Sequence, residues 1–423
     1  MTSCFNIFPS STEILYMQRI CHKANGYHVL LSIFLCLFFV AISSCSGWHS
    51  EPDYPSPVHK YIPPQSDLVQ LKVAEDTLHF PLDDNAYNSL KSFNLFTEND
   101  REFMCFFDER SMAVSIYDLA NQQKVKTISI KSALKDRKIY KPTVFINSFD
   151  SIFVNNNKAV YLIDSAGAIK NKIPFLENPG FSWAIFNNDT PPILRDGSLF
   201  AAVRPYVNDE SLSALKEWKV LYEFDFQNKT AKLHYPLPAI LREQYYGSRF
   251  LDHSYCYNDR DHFVFSFPAD SAIYETDLAN FHMAYSGKSM FQLGGIPPLS
   301  KQEVSEDGSK NFMLRDSYGA IYFDPTKKRY LRVAMSKINE QEYEAKKTKD
   351  QRIIIFDDQF RIIGESPIHN SILLKSLIIT STGNIYARVM RKDEYAIHFI
   401  RLSYIEKNNE LNKIAKHAGN PIP

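Results

Sequence analysis

The chain has 423 residues, of which 44% are hydrophobic and 14% are aromatic, and its 48 basic and 48 acidic residues cancel. This balance argues against nucleic acid or an anionic membrane surface as a partner, and the length allows one large β-domain or two ordinary domains. The 24 tyrosines and 31 phenylalanines favour strands over helices.

Residues 1–44 have the organisation of a bacterial signal peptide. Arg19 and Lys23 supply a basic region, and Val29 to Ile42 is an apolar run too short to span a bilayer comfortably. The run ends in Ile42-Ser43-Ser44-Cys45, which resembles a lipobox, where small residues precede a cysteine that is lipidated. We predict Cys45 as the lipidation site and membrane contact through this anchor only. An ordinary secretory signal is the alternative, and Met17 is an alternative start.

Three further segments follow the signal peptide. Residues 45–66 contain the lipidated cysteine and a polar, proline-rich tether, which is expected to be extended and disordered. Residues 67–406 carry the predicted β-domain, and residues 407–423 form a C-terminal tail. This organisation predicts an outer-membrane lipoprotein of the cell envelope, with the periplasmic or surface side left open.

One pattern recurs along the predicted β-domain. In Met112–Ile130 an apolar strand ends at an aspartate, a tight polar turn follows, and a second alternating strand completes the hairpin. The aspartates at the equivalent positions are Asp118, Asp164, Asp225, Asp277 and Asp357. Strand hairpins that recur at the intervals between these aspartates indicate propeller blades. The repeated aspartate is expected to cap the turn rather than to act in catalysis.

The fold class predicted from these repeats is an all-β, six-bladed β-propeller. The six blades are expected at Leu90–Ile130, Thr143–Phe175, Pro192–Tyr235, Phe250–Tyr285, Gly319–Glu365 and Ser376–Tyr404. The last blade lacks a fourth strand, and Leu68–Leu82 alternates as a strand does. We therefore expect this N-terminal strand to complete the last blade and close the ring, because an open edge is a liability. A sandwich or two smaller β-domains are the alternatives.

Long connections are the predicted functional surface. Those between blades, and those between the second and third strands of a blade, emerge on one face, which is called the long-loop face here. Long loops on a rigid scaffold commonly carry function, and aromatic and arginine side chains suit a protein or glycan contact. The predicted binding residues are Trp183, Tyr206, Trp218, Tyr245, Tyr246, Arg204, Arg242 and Arg315. The alternative is that these side chains pack the loops against each other.

Motifs for catalysis or metal binding are weak. Asp252, His253, Asp259, Asp261 and His262 form the best metal-like cluster, but strand neighbours point to alternate faces and these side chains are not expected to converge. The chain contains no Gly-x-Ser-x-Gly elbow and no glycine-rich phosphate loop. No catalytic residue, metal or cofactor is predicted.

The lipobox, the tether and the six degenerate blades together resemble an uncharacterised family of Bacteroidetes lipoproteins with TolB-like six-bladed propellers. The resemblance rests on the blade phrases IYDLANQQ, YFDPTKKRYLRVAM and IIIFDDQFRIIG and covers about Leu68 to Tyr404. It implies a cell-envelope location and a propeller. It implies no known enzyme activity, so no catalytic residues are carried over from it.

Three functions are compatible with these features. The favoured one is a non-enzymatic binding or scaffold module that recognises an envelope protein, a peptide or a glycan through the long-loop face. The second is a hydrolase or lyase that acts on glycans or peptides at the mouth of the central channel, for which ionisable side chains from several inner strands must share one pocket. The third is a sensor module, which the sequence does not separate from the first.

Overall fold

The computed structural model describes residues 54–84, 86, 92–131, 142–156, 158–176, 182–205, 211–291, 294–390 and 395–407. These residues form six sheets that follow one another along the chain, and all but one strand pairing within them are antiparallel. The predicted all-β, six-bladed propeller is confirmed. The signal peptide, Cys45, the start of the tether and the tail from residue 408 lie outside the described residues. Blades are numbered 1 to 6 in chain order.

Two strands precede blade 1, and blades 1 and 2 are simple four-stranded meanders. The preceding strands are β1 (Val58–Lys60) and β2 (Val69–Pro81). Blade 1 consists of β3 (Ser92–Glu98), β4 (Arg101–Asp108), β5 (Ala113–Asp118) and β6 (Lys124–Ser129). Blade 2 consists of β7 (Thr143–Ser148), β8 (Ser151–Asn156), β9 (Ala159–Ile163) and β10 (Ile169–Pro174). In both blades the observed strands lie within the predicted blade boundaries.

Blades 3 and 4 depart from the simple meander. Blade 3 contains β11 (Ser182–Ile185), β12 (Ile193–Arg195), β13 (Ser198–Pro205), the helix α1 (Leu212–Lys216), β14 (Lys219–Asp225) and β15 (Thr230–Pro236). The helix α2 (Ala239–Glu243) and a 3-10 turn (Ser248–Phe250) lead to blade 4, with β16 (Ser254–Tyr257), β17 (Phe263–Ser266), β18 (Ala272–Thr276) and β19 (His282–Ser286). Both β11 and β12 pair with β13, so the inner strand of blade 3 is split rather than confined to its predicted segment after Pro192.

Blades 5 and 6 complete the ring of sheets. The helices α3 (Lys301–Val304) and α4 (Gly308–Met313) precede blade 5, which contains β20 (Ser317–Asp324), β21 (Arg329–Met335), the helix α5 (Glu340–Glu344), β22 (Gln351–Phe356) and β23 (Ile362–Ile368). Blade 6 contains β24 (Ile372–Ile379), β25 (Ile385–Val389) and β26 (Ala396–Glu406). The helices α1 and α5 both lie in the connection between the second and third long strands of their blades.

The N-terminal strand β2 is the fourth strand of blade 6. It pairs antiparallel with β26 from Val69 opposite Glu406 to Pro81 opposite Ala396, which is the strand addition expected from the sequence. Phe80 on β2 contacts Phe106 of blade 1 edge to face, with ring centroids 5.4 Å apart. Aromatic packing of this kind joins side chains from the first and last blades in one buried cluster.

The described part of the tether, residues 54–65, has specific contacts that its proline-rich composition does not predict. The Tyr54 hydroxyl lies 3.2 Å from Nδ1 of His234, and Nδ1 of His282 donates to the Pro55 carbonyl at 2.6 Å. The strand β1 then adds to the outer strand of blade 4 in parallel. The segment thus follows the outer edges of blades 3 and 4 before it reaches β2.

The repeated aspartates cap the turns between the third and fourth strands. Oδ1 of Asp118 accepts hydrogen bonds from the backbone N–H groups of Ala120 at 3.0 Å and Asn121 at 3.1 Å. Asp277 does the same for Ala279 and Asn280. Each carboxylate thereby satisfies turn amides that the sheet leaves unpaired, as the sequence predicts for a capping role.

Candidate functional site

A loop of blade 3 spans the centre of the ring. Residues 186–192, called the channel loop here, leave the sheet between β11 and β12. The side-chain amide of Asn188 donates to the carbonyls of Lys375 at 3.2 Å and Leu377 at 2.7 Å, both on the inner strand of blade 6. Blade 6 lies opposite blade 3 in a six-membered ring, so these hydrogen bonds cross the central channel.

Hydrogen bonds from blade 4 hold the other end of the channel loop. The Ser254 hydroxyl donates to the Asp189 carbonyl and accepts from the backbone N–H of Ile321 at 3.0 Å. The Tyr255 hydroxyl donates to the Pro191 carbonyl at 2.8 Å. The channel loop is therefore anchored to blades on both sides of the channel and forms a fixed floor across it.

A cavity of about 640 Å³ lies against this floor and is called the mouth cavity here. Its walls come from the first residues of inner strands, including Phe93, Ala320 and Ile372, and from Thr348 and Lys349, which connect β21 to β22. Inner strands begin where the connections between blades end. The mouth cavity thus opens on the long-loop face, at the mouth of the channel.

The walls of the mouth cavity combine apolar side chains with a few charged groups. Leu373, Leu374 and Met335 contribute apolar surface. Among the described residues that line it, the one carboxylate belongs to Asp189, whose Oδ2 lies 3.9 Å from Nζ of Lys375. Burial raises the pKa of Asp189, and the nearby Lys375 ammonium opposes that rise. The Lys375 side chain itself is 73% exposed.

Two further cations line the mouth cavity. The Lys349 ammonium donates to the Phe312 carbonyl at 3.0 Å and to the Ser317 hydroxyl at 2.7 Å, and burial lowers the pKa of Lys349 to about 7. Burial also lowers the pKa of Arg388. Even if Lys349 is left out because its pKa is near neutrality, Lys375 and Arg388 outnumber the one carboxylate among the described lining residues, so the cavity has a positive formal balance.

The structure buries three of the predicted binding residues. Trp218, Tyr246 and Arg315 are 2%, 3% and 7% exposed. The Arg315 guanidinium donates to the carbonyls of Tyr246 at 3.1 Å and of Pro297, and it lies 4.3 Å from the Phe250 ring centroid. These side chains pack the loops against one another, which is the alternative stated above, and they are not available to a partner in this structure.

The remaining predicted residues do not form one site. Trp183 is on β11 rather than in a loop, opposite Arg204 on β13, and its side chain is partly exposed. Nε of Arg204 lies 3.3 Å from Oδ1 of Asp252. Tyr245 is half-buried in a backbone bridge with Leu299.

Two positions of the predicted set remain. Arg242 is half-buried, and its Nε is buried without a hydrogen-bond partner in the part of the chain that the structure describes. Tyr206 lies outside the described residues. No member of the predicted set is among the described residues that line the mouth cavity. Sequence reasoning missed Asp189, Leu373 and Lys375, and the polar run Asn187-Asn188-Asp189 before two prolines was the one local signal.

The metal-like cluster is dispersed. Asp252 pairs with Arg204, Asp259 pairs with Lys328 at 3.0 Å, and Nδ1 of His262 lies 3.1 Å from Oε1 of the buried Glu275. Across the described ranges, no three His, Cys, Asp or Glu side chains are placed to hold a metal ion together.

His253 is buried beside the rings of Tyr255, Phe265 and Phe267, and burial lowers the pKa of its imidazole to about 4. In the unfolded chain the imidazole of His253 takes up a proton near pH 6.5. In the folded protein it does not do so until about pH 4. Stability is therefore lost as pH falls from about 6.5 to 4, by about 3 kcal/mol in total. We expect His253→Phe to reduce this loss, as measured by urea unfolding at pH 7 and pH 4.5.

The exposed His59 on β1 provides the control for this experiment. His59→Phe is expected to keep the wild-type dependence of the unfolding free energy on pH. An unchanged pH dependence in His253→Phe would contradict the assignment of the acid-sensitive group.

The fold and the site together define a class of protein. It is a six-bladed propeller whose channel is crossed by a loop of its third blade, with a cavity above that loop on the long-loop face. Within the described ranges, no helix has the length and apolar character needed to cross a membrane.

Residues 69–367 match the family described as "Domain of unknown function (DUF4221)", and the chain belongs to this family. A crystal structure of a DUF4221 member from Bacteroides vulgatus is similar, with a TM-score of 0.67 and 22% identity over 80% of this chain and 99% of that one. The uncharacterised family expected from the blade phrases is thereby confirmed.

Two further comparisons are weaker. A putative exported protein from Bacteroides fragilis has a TM-score of 0.49 at 10% identity, over 82% of this chain and 99% of that one. A streptogramin B lyase has a TM-score of 0.38 at 9% identity, over 78% of this chain and 98% of that one. Likeness at this level carries no functional argument. No curated protein matches the chain.

Proposed function

We propose that this protein is a lipid-anchored propeller of the cell envelope that binds a ligand in the mouth cavity, without converting it. The observation that carries the proposal is the channel loop, which makes a fixed floor across the channel and leaves a preformed cavity on the long-loop face. The ligand is a small molecule or an exposed part of an envelope peptide, protein or glycan. A scaffold role through the surrounding loops is compatible with this binding.

The size and composition of the mouth cavity support binding. Its volume of about 640 Å³ falls in the range of small-molecule sites, which are mostly apolar with a few polar groups that orient the ligand. Leu373 and Met335 provide apolar surface, and Lys375 provides a polar group at the wall. Because Asn188 and Ser254 fix the floor, binding does not require the channel loop to be ordered first.

The envelope location rests on the N-terminal sequence. Ile42-Ser43-Ser44-Cys45 follows an apolar run, and the chain after it is proline-rich up to Gln65. A lipid on Cys45 would anchor the protein through this segment. Tyr54 and β1, which follow this segment in the chain, contact the outer strands of blades 3 and 4.

Replacing Leu373 with tryptophan tests the proposed site. Leu373 is half-buried and lines the mouth cavity, so the larger side chain is expected to fill it. We expect wild-type protein purified from a Bacteroides cell envelope to retain a compound that mass spectrometry detects. The Leu373→Trp variant is expected to lose at least about 90% of that compound, because the ligand and the indole ring compete for one volume.

Val125→Trp is the matched control, because Val125 is 45% exposed on the outer strand β6 of blade 1. This variant is expected to retain the compound. Equal retention by Leu373→Trp and wild type, with both proteins folded by circular dichroism, would contradict binding in the mouth cavity.

A hydrolase or lyase at the same mouth has one observation in its favour. Asp189 lies in the cavity wall with its pKa raised by burial, as a general acid requires. Under catalysis, Asp189→Asn would accumulate a compound that the wild-type protein has converted. Under the binding proposal, wild type and Asp189→Asn release the same unaltered compound.

A further inference from the structure

We propose that the mouth cavity selects an amphipathic anion, a molecule that joins one carboxylate to an aliphatic or aromatic body. This inference rests on the proposed function and names its ligand class. It combines three observations: apolar walls, an excess of cationic side chains at those walls, and hydrogen bonds within the protein that already occupy three of the four described lining amides.

The apolar part of the site is continuous along the inner strand of blade 6. Ile372, Leu373 and Leu374 all line the mouth cavity, with Val333 and Met335 of blade 5 beside them. An apolar body placed against these side chains gains about 25 cal/mol for each square ångström of apolar surface removed from water. Such a wall suits an alkyl chain or a phenyl ring.

The cationic part of the site lies on the same blade. Lys375 is two positions beyond Leu373 on β24, and Arg388 on β25 is the register partner of Leu373. Among the described lining residues the one carboxylate is Asp189, which lies 3.9 Å from Lys375 and leaves most of that side chain exposed. A ligand carboxylate would therefore meet a positive field at the wall, and a ligand ammonium would be repelled.

Three of the four amide side chains among the described residues that line the mouth cavity already donate within the protein, which leaves them poorly placed to recognise a neutral polar ligand. The Asn188 amide donates to two carbonyls of β24. The Gln351 amide donates to the Ile372 carbonyl at 2.6 Å, and the Asn370 amide donates to the Thr348 hydroxyl at 3.0 Å. A sugar buried here would compete with these bonds for donors, and unsatisfied hydroxyl groups are costly to bury.

Three probes that share a phenylbutyl group and differ only in the polar end group test this inference. Isothermal titration calorimetry on the mature protein would use 4-phenylbutyrate, 4-phenylbutan-1-ol and 4-phenylbutylamine. We expect the acid to bind at least about tenfold more tightly than the alcohol or the amine, because charge-assisted hydrogen bonds are roughly twice as strong as neutral ones. Raising the salt concentration is expected to weaken the binding of the acid and of neither other probe.

Charge and volume variants separate the two parts of the site. Lys375→Met is expected to lower the affinity for the acid about five- to tenfold and to leave the affinity for the alcohol unchanged. Lys337→Met is the control, because Lys337 is exposed in the connection between β21 and β22 and does not line the cavity. Leu373→Trp is expected to abolish binding of both the acid and the alcohol.

The outcomes distinguish the inference from the proposed function. Equal binding of the three probes, binding of the amine in preference to the acid, or binding of none of them overturns the inference. If Leu373→Trp still removes the compound retained from the envelope, the proposed function stands with a ligand of another class. If Leu373→Trp retains that compound while the acid binds elsewhere, both the inference and the proposed function are overturned.

Discussion

Replacing Arg332 with methionine is expected to lower the free energy of unfolding by at least about 3 kcal/mol. Arg332 on β21 is fully buried, and its guanidinium donates to the Ser266 hydroxyl at 2.9 Å and to the carbonyls of Ser271 and Asp270 at 2.6 Å each. The same group lies 4.0 Å from the Tyr318 ring centroid. It thus joins blade 5 to the connection between β17 and β18 in blade 4.

The expected loss follows from what the substitution leaves behind. Methionine fills part of the volume, but the buried carbonyl of Phe267 and the partly buried carbonyls of Asp270 and Ser271 lose their donor. A buried arginine that neutralises a carboxylate is often replaceable by an apolar residue, whereas Arg332 serves backbone carbonyls and a serine hydroxyl.

Urea unfolding followed by fluorescence measures this effect. Arg249→Met is the control, because Arg249 is exposed in the 3-10 turn, and its loss is expected to change stability by less than about 0.5 kcal/mol. A change of less than about 1 kcal/mol in the unfolding free energy of Arg332→Met would contradict the role of Arg332 as a hydrogen-bonded link between blades 4 and 5.

Replacing Gly364 with alanine is expected to displace the N-terminal strand and to cost about 2–3 kcal/mol. Gly364 is on β23, the outer strand of blade 5, and a Cβ there would lie 1.9 Å from the backbone carbonyl oxygen of Val69. Because this contact is with backbone and not with a flexible side chain, we expect β2 to move away from β23 to relieve it.

Hydrogen exchange of the β2 amides reports this displacement, and urea unfolding reports its cost. Gly308→Ala is the matched control, because the nearest atom to a Cβ at Gly308 is the Ser248 hydroxyl oxygen at 3.8 Å. That variant lies in α4 and is expected to keep wild-type stability or gain slightly. Unchanged exchange in β2 of Gly364→Ala would show that the strand does not approach blade 5 as described.

The blades were predictable because their signals are local. Alternating apolar residues define the strands, and an aspartate such as Asp118 or Asp277 marks each turn that it caps. The pairing of β2 with β26 was predictable for a different reason, since a three-stranded last blade leaves an edge that another strand must cover.

The candidate site was not predictable because it depends on contacts between distant residues. The channel loop resembles an ordinary polar connection in sequence, and its role appears only when Asn188 meets the carbonyl of Leu377 across the ring. Composition likewise does not separate packing from exposure. Arg315 and Trp218 have the residue types of a contact surface, yet the loops of the long-loop face bury both.

The direct test of the central claim is a crystal structure of the protein purified from the envelope with its retained compound. We expect electron density for that compound in the mouth cavity, in contact with Leu373 and above the channel loop, with the Asn188 hydrogen bonds to β24 intact. An empty cavity with the compound on another surface would contradict the account, as would a channel loop withdrawn from the centre of the ring.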